Sequence, residues 1–437
     1  MKKRWIALLG SLLIAALVVT ACGPEPDPDI EEPVAPPEEA CVINGTAFEI
    51  EDGAEIAFSG WGDETEQQIY RDSIDRFQEV CPGVVVEYEP IPADFQTKLK
   101  AQMAGGTAPD VFYVDDQLMT AFAPQGQLLP LDEYMAEVGV SRDDFIPALL
   151  TIFTLDDETY GLPKDWGTLG LVYIPEIFDD AGIDYPTEDW SWEDLREAAV
   201  AIEENTDVAG FCQGADWARF APFVFSNSGA YTNDDFTEAT LNTPEVTEMA
   251  TFVNDMFQAG ELVRPADVDA SWCGEAIGRS FVGMTLEGGW MVQFMRQTYP
   301  DQSWNTVLIP RGPVTRANVI FTNAIGVNAF TPYPRAAAAF TMYVTGSENQ
   351  AEIVQTGFAY STHPEQVDLI EDERDRAIAE GGLLEDSRVA YWGPNTGRVN
   401  EAVSQALERI FLGDQTVDQA FDQAQQDAQR ALEEVLD

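Results

Sequence analysis

Apolar positions along the first third of the chain recur with two alternating periods. Glu55–Gly60 (EIAFSG), Val84–Tyr88 and Val111–Val114 are short, β-branched or apolar runs that predict strands. Between the first two, Ile69, Ile74, Phe77 and Val80 fall on one helical face. Asp63 stands at the N-cap, Glu66 in the capping-box position, and Cys81-Pro82-Gly83 forms a stop. Between the second and third, Asp94 is placed to cap a helix running to about Ala104, closed by Gly105-Gly106. Strand–helix–strand–helix–strand predicts a largely parallel sheet covered by helices, the pattern of an α/β unit.

A second series follows Tyr160–Pro175 (YGLPKDWGTLGLVYIP). The tail of this stretch, Leu169–Ile174, reads as a buried strand. Its head carries the breakers Gly161, Pro163 and Gly167 around Lys164, Asp165 and Trp166, and reads as a loop. A polar and aromatic crossing between two α/β units is where a ligand cleft with hinges would lie; an ordinary strand-entry loop has the same composition. Beyond it, Ser191 with Asp194 opens a helix. Thr243-Pro244 caps another carrying Val246, Met249, Val253 and Met256 to a stop at Gly260. Gly283–Leu286, Thr306–Ile309 and Ala324–Val327 predict strands, the first running into Glu287-Gly-Gly-Trp290. Ala336–Val344 and the last fifty residues predict helix, with a break at Gly413.

The N-terminus has a different character. Met1-Lys-Lys-Arg4 precedes an apolar run from Trp5 to Val19, too short to span a bilayer and suited to a signal peptide. It ends in Val19-Thr-Ala-Cys22-Gly23, which resembles the bacterial lipoprotein signal, so residues 1–21 are expected to be removed and Cys22 lipidated. Residues 22–40 follow as an acidic, Pro-rich tether that cannot form a core. With 437 residues, the chain is long enough for two or three domains.

Asp and Glu outnumber Lys and Arg by 77 to 23, a formal charge of −54. Nucleic acid and anionic lipid headgroups are therefore repelled as partners. The excess suits a solvated surface in a salty or acidic exterior better than it suits steering of a cationic ligand. The four remaining cysteines allow three pairings; two fall in each unit, so Cys41–Cys81 and Cys212–Cys273 are expected. No CxxC spacing exists and His363 is the only histidine, so neither a metal nor another cofactor is expected.

Catalytic chemistry finds little support. A Ser-His-Asp triad would depend on His363 in a loop-like STHPEQ segment, no Walker-type loop is present, and carboxylate pairs mean little in so acidic a chain. Tryptophans beside turn residues are more informative: Trp61, Trp166, Trp217, Trp290 and Trp392. Sugar rings offer apolar faces ringed by hydroxyls, and their sites need flat aromatic platforms beside short polar groups. Asp63, Glu64, Asp115, Asp116, Asp165 and Glu287 are the neighbouring acceptors. Trp192 and Trp304 read as core plugs.

Four segments together resemble the maltose-binding-like group (family 1) of extracellular solute-binding proteins for ABC importers. They are Ala108–Val114 (APDVFYV), Tyr160–Pro163 with Val172-Tyr173, Gly283–Trp290 (GMTLEGGW) and Gly413–Phe421 (GDQTVDQAF). Thr240–Pro244 and Gly326–Ala329 extend the order across nearly the whole mature chain. The resemblance implies a two-lobe periplasmic-binding-protein fold (type II-like) joined by crossing hinge strands, with residues 41–163 plus 305–345 as lobe one and 164–304 plus 346–437 as lobe two. It also implies a monomeric, lipid-anchored, non-enzymatic receptor that captures a sugar or oligosaccharide and delivers it to an ABC permease. Trp290 matches the family's stacking tryptophan, and Asp115 and Asp116 fall where relatives place a sugar-binding polar group. A receptor for a polyamine, amino-acid derivative or glycerophosphodiester is the alternative within this class; a secreted glycan hydrolase is the alternative outside it.

Overall fold

The computed structural model describes residues 41–436 except Asp63 and Pro394. The signal peptide, Cys22, the tether and Asp63 lie outside the described residues. Ten strands form one mixed sheet. At one end, Ala54–Ser59 pairs in parallel with Val84–Tyr88 and with Val111–Val114. At the other, Ala209–Cys212 pairs in parallel with Leu262–Val263 and Val282–Gly288. Val111–Val114 and Val282–Gly288 are buried at every position, as strands covered on both faces must be.

The middle of the sheet is antiparallel and consists of two long strands, Gly161–Tyr173 and Val319–Val327. The tail of the first, Leu169–Tyr173, pairs with Met284–Gly288. Its head pairs with Phe321–Gly326, and the register shifts between Asn323 and Ala324, opposite Asp165 and Pro163. The sequence reading of this head as a loop is corrected here. Pro163 sits at the register shift, where a missing ladder donor is tolerated, so the strand runs unbroken through the breakers.

Two hydrophobic cores lie along this sheet. One gathers residues from Cys41 to Phe153 with Leu162 and Ala324–Val344. The other gathers Trp166 to Ile320 and Val354 to Leu432, with Leu149 reaching into it. Asn305–Val307 pairs with the tail strand at Leu171–Tyr173, and Ile309, Ala317, Val319 and Ile320 pack in the second core. Phe321 still packs on the second core and Ala324 is the next member of the first, so the chain recrosses between them, not at residue 305 as the resemblance implied.

Disulfides Cys41–Cys81 and Cys212–Cys273 each stay within one core. Ser191 and Asp194 form the reciprocal capping box expected of them. Asp94 and Thr243 occupy N-cap positions, yet neither side chain accepts a cap hydrogen bond, and Asp94 is left-handed at φ 57°. No helix among the described residues is long and apolar enough to cross a membrane.

Candidate functional site

Strand ends and the two crossing strands bring Asp165, Trp217, Glu287 and Trp290 to one region, which Trp166 borders. Val282–Gly288 ends at the Gly288-Gly289 pair, and Trp290 opens the helix Trp290–Thr298. A Cβ on Gly288 would stand 2.4 Å from the Trp290 ring and 2.7 Å from the Thr168 carbonyl. Glycine there lets the indole lie back against the crossing strand, where its edge passes Gly167. Trp290 is nevertheless 40% exposed, the most exposed tryptophan among the described residues.

The indole is fixed from below. Its Nε1–H donates to Glu287 Oε2 at 2.9 Å, and Arg219 donates to the same oxygen at 2.6 Å. The Arg219 guanidinium lies 5.7 Å from the centre of the Trp290 ring. Glu287 is 2% exposed; burial raises its pKa, and Arg219 offsets part of that rise. Burial also works against the charge of Arg219, but Glu287 and Asp216 more than compensate and its pKa rises. An ion pair that shares its acceptor oxygen with an indole N–H is an orienting device: its worth lies in holding one geometry more than in stability.

Asp165, Gly167, Trp290, Phe321, Asn323, Tyr360 and Asp375 line a cavity of about 200 Å³ at the crossing. Phe321 meets Trp290 edge-on at 5.8 Å and Trp217 at 6.0 Å. Trp217 is half-buried, held by the Ser404 hydroxyl at its N–H and by Tyr231 at its carbonyl. Tyr360 donates to Asp375 Oδ1 at 2.6 Å; burial pushes Asp375 up to about 6, the tyrosine hydrogen bond opposing it.

Trp166 and Trp392 stand apart from the other expected platforms. Trp166 is 4% exposed, packs on Tyr360 and donates from Nε1 to the Ser361 carbonyl at 2.6 Å. Trp392 is 3% exposed and donates to Asn400 at 2.7 Å. Both rings are therefore committed to packing, with only edges reaching cavities.

From the first core come Trp61, Asp115 and Asp116. Trp61 is half-buried, edge-on to Phe95 and Tyr113, and borders an open recess with Gly62, Pro92, Asp94 and Gln96. Asp115 caps the helix Asp116–Phe122 through Leu118 N and also accepts from Gln96 Nε2 at 2.7 Å. That leaves it a structural acceptor. Burial, then the charge of Asp115, pushes Asp116 up to about 7.

Arg219 has no sequence signal of its own, and Lys164, which the sequence places in the crossing, carries no expected role there. Lys164 is 1% exposed, 3.1 Å from Glu66 Oε1, paired with Asp165, and 4.4 Å from the centre of the Tyr113 ring. Burial opposes its charge, but Asp165, Tyr70 and Glu66 raise its pKa well above the usual lysine value. This cation ties the crossing strand to the first core. Among the described residues no group of three or more His, Cys, Asp or Glu is placed to hold a metal ion.

Residues 61–351 match the family described as bacterial extracellular solute-binding protein. A Brucella abortus protein named only as a binding protein is 26% identical over 350 residues, covering 77% of this chain and 83% of its own length. An arabinooligosaccharide-binding protein of Halalkalibacterium halodurans is 28% identical over 201 residues, 44% of each chain. Among solved structures, an ABC substrate-binding protein from Listeria monocytogenes in complex with cycloalternan superposes with a TM-score of 0.77. It is 22% identical, with 87% of this chain and 100% of that one covered. The fold is thus the two-lobe solute-binding fold, and the chain belongs to the bacterial extracellular solute-binding proteins.

Proposed function

We propose that this protein captures a sugar or oligosaccharide between its two cores, against Trp290, and hands it unchanged to the permease of an ABC importer. It works as a monomer held to the membrane through Cys22, outside the cytoplasm, and carries out no catalysis. The residues on either side of the crossing strands act as two lobes that close on the ligand. A relative named as an arabinooligosaccharide-binding protein and a neighbour solved in complex with cycloalternan support a carbohydrate ligand.

The observation that carries this reading is Trp290. A large indole left 40% exposed, yet locked by buried Glu287 and its partner Arg219, is a poor core residue and a good platform. Burying some 80–120 Å² of apolar contact between a sugar face and the indole contributes about 2–3 kcal/mol. Trp290→Ala is therefore expected to weaken sugar binding roughly 30- to 150-fold by calorimetry. Without ligand its melting temperature should stay close to that of the wild type. A variant that binds as tightly as the parent would remove the platform and this placement of the site with it.

A further inference from the structure

The cavity of about 200 Å³ at the crossing sets two carboxylates among aromatic rings: Asp165 and Asp375 share its wall with Trp290, Phe321, Phe358 and Tyr360. Trp290 is exposed and Phe321 and Phe358 are half-buried, so each keeps surface for an occupant. The charges around this space are unevenly matched. Arg219 beneath the indole is balanced by Glu287 at 2.6 Å and by Asp216 at 3.7 Å. Lys164 serves two acids at once, Glu66 at 3.1 Å and Asp165, so with both ionised that group carries one negative charge in excess. Asp375 is 4% exposed and accepts from the Tyr360 hydroxyl, but among the described residues no side-chain cation pairs with it. Arg296 and Arg374 both pair with Asp372 instead, at 2.5 and 2.7 Å. Pushed up to about 6 by burial, Asp375 is still ionised at neutral pH.

From this we infer that the sugar ring seated on Trp290 carries a protonated amine, held against Asp375 and Asp165 and ringed by Trp290, Phe321 and Phe358. This rests on the sugar-binding reading and deepens it to a substrate class, the amino sugars. An ammonium centre is drawn to aromatic faces and needs a carboxylate counterion, and this cavity offers both in one space. A neutral sugar would give Asp375 a hydroxyl donor yet leave its charge buried without a counterion. An ammonium supplies donor and counterion together. Asp165 adds the second acceptor from the crossing strand, its carboxylate held in place by Lys164.

The test is calorimetric titration of the full mature protein with matched glucose, N-acetylglucosamine and glucosamine and their β-1,4-linked dimers to tetramers. Galactose, N-acetylgalactosamine and galactosamine complete the sugars, and choline serves as a cation that is not a sugar. The titrations are run on the wild type, Asp375→Asn and Asp165→Asn. Asp165 is only partly buried, so its variant keeps the test valid should Asp375→Asn fold poorly. In the wild type, the amine-bearing member of a matched set is expected to bind about tenfold or more tighter than its hydroxyl and N-acetyl counterparts. In each variant the ratio of amine to neutral affinity should fall by about tenfold. Equal affinity for amine and neutral members, or a preference that survives in both variants, overturns the inference and leaves the sugar reading standing. Binding of choline with no sugar of the panel bound overturns the sugar reading, and the inference with it. No binding by any member counts against both.

Discussion

Asp116 shows how one side chain can set a pH dependence. It follows the capping Asp115, and burial with that neighbour pushes it up to about 7 from the ordinary 3.8. An acid raised in the folded state binds more protons folded than unfolded between about pH 4 and 7. Its contribution to stability is therefore greatest at low pH and declines as pH rises through that window. Asn in its place keeps the neutral form at every pH. Asp116→Asn is expected to be more stable than the parent at pH 8, by about 1–3 kcal/mol after allowing for solvent screening, and nearly equal to it at pH 4. Melting curves across that range measure this; parallel curves for the two proteins would mean Asp116 titrates as an ordinary carboxylate. The same scale explains what the sequence hid. Trp290 was visible because two glycines precede it, but Arg219 and Lys164 show in the sequence only local acids, Asp216 and Asp165, and not the distant ones that fix their place. Their partners Glu287 and Glu66 lie 68 and 98 residues away, so the pairs exist only once the sheet has formed.

At the level of elements, the strands were the most legible part, because a strand buried on both faces must be apolar throughout. Val111–Val114, buried at every position, begins and ends where its pattern does, and so does Val84–Tyr88, an edge strand whose Val85 is half exposed. The crossing strand was half legible: its apolar tail showed, while Gly161, Pro163 and Gly167 disguised a head whose hydrogen bonds come from a strand more than 150 residues away. Helix caps divided by local chemistry: Ser191 closes a box with its own neighbour, whereas Asp94 has been turned left-handed and lost the geometry to cap. Cys212–Cys273 joins the end of the strand Ala209–Cys212 to the helix Cys273–Gly278, across a separation of 61 residues. On the chain-entropy view, closing such a loop stabilises by about 4 kcal/mol. Replacing both cysteines by serine should lower the denaturant midpoint accordingly while sugar binding persists at low temperature. An unchanged midpoint would mean the unfolded chain is not constrained by this bond.

Over the whole molecule, the order of apolar runs and breakers gave away two α/β units and the place where they cross. What it left out was where the chain recrosses. Asn305–Ile320 carries strand-like and turn-like residues compatible with either core, and only pairing with Leu171–Tyr173 assigns it to the second. The charge of −54 bears on solubility and on the partners repelled, and played no part in locating the site. Two cores joined by a pair of crossing strands, with a platform on one and recesses on both, make a device whose ligand stabilises the closed arrangement only by binding it better than the open one. Small-angle scattering of the mature protein, alone and saturated with the tightest-binding oligosaccharide, tests that claim most directly. The account predicts a smaller radius of gyration with ligand in the wild type and little change in Trp290→Ala under the same conditions. Saturation of the wild type with no change in dimensions would contradict it.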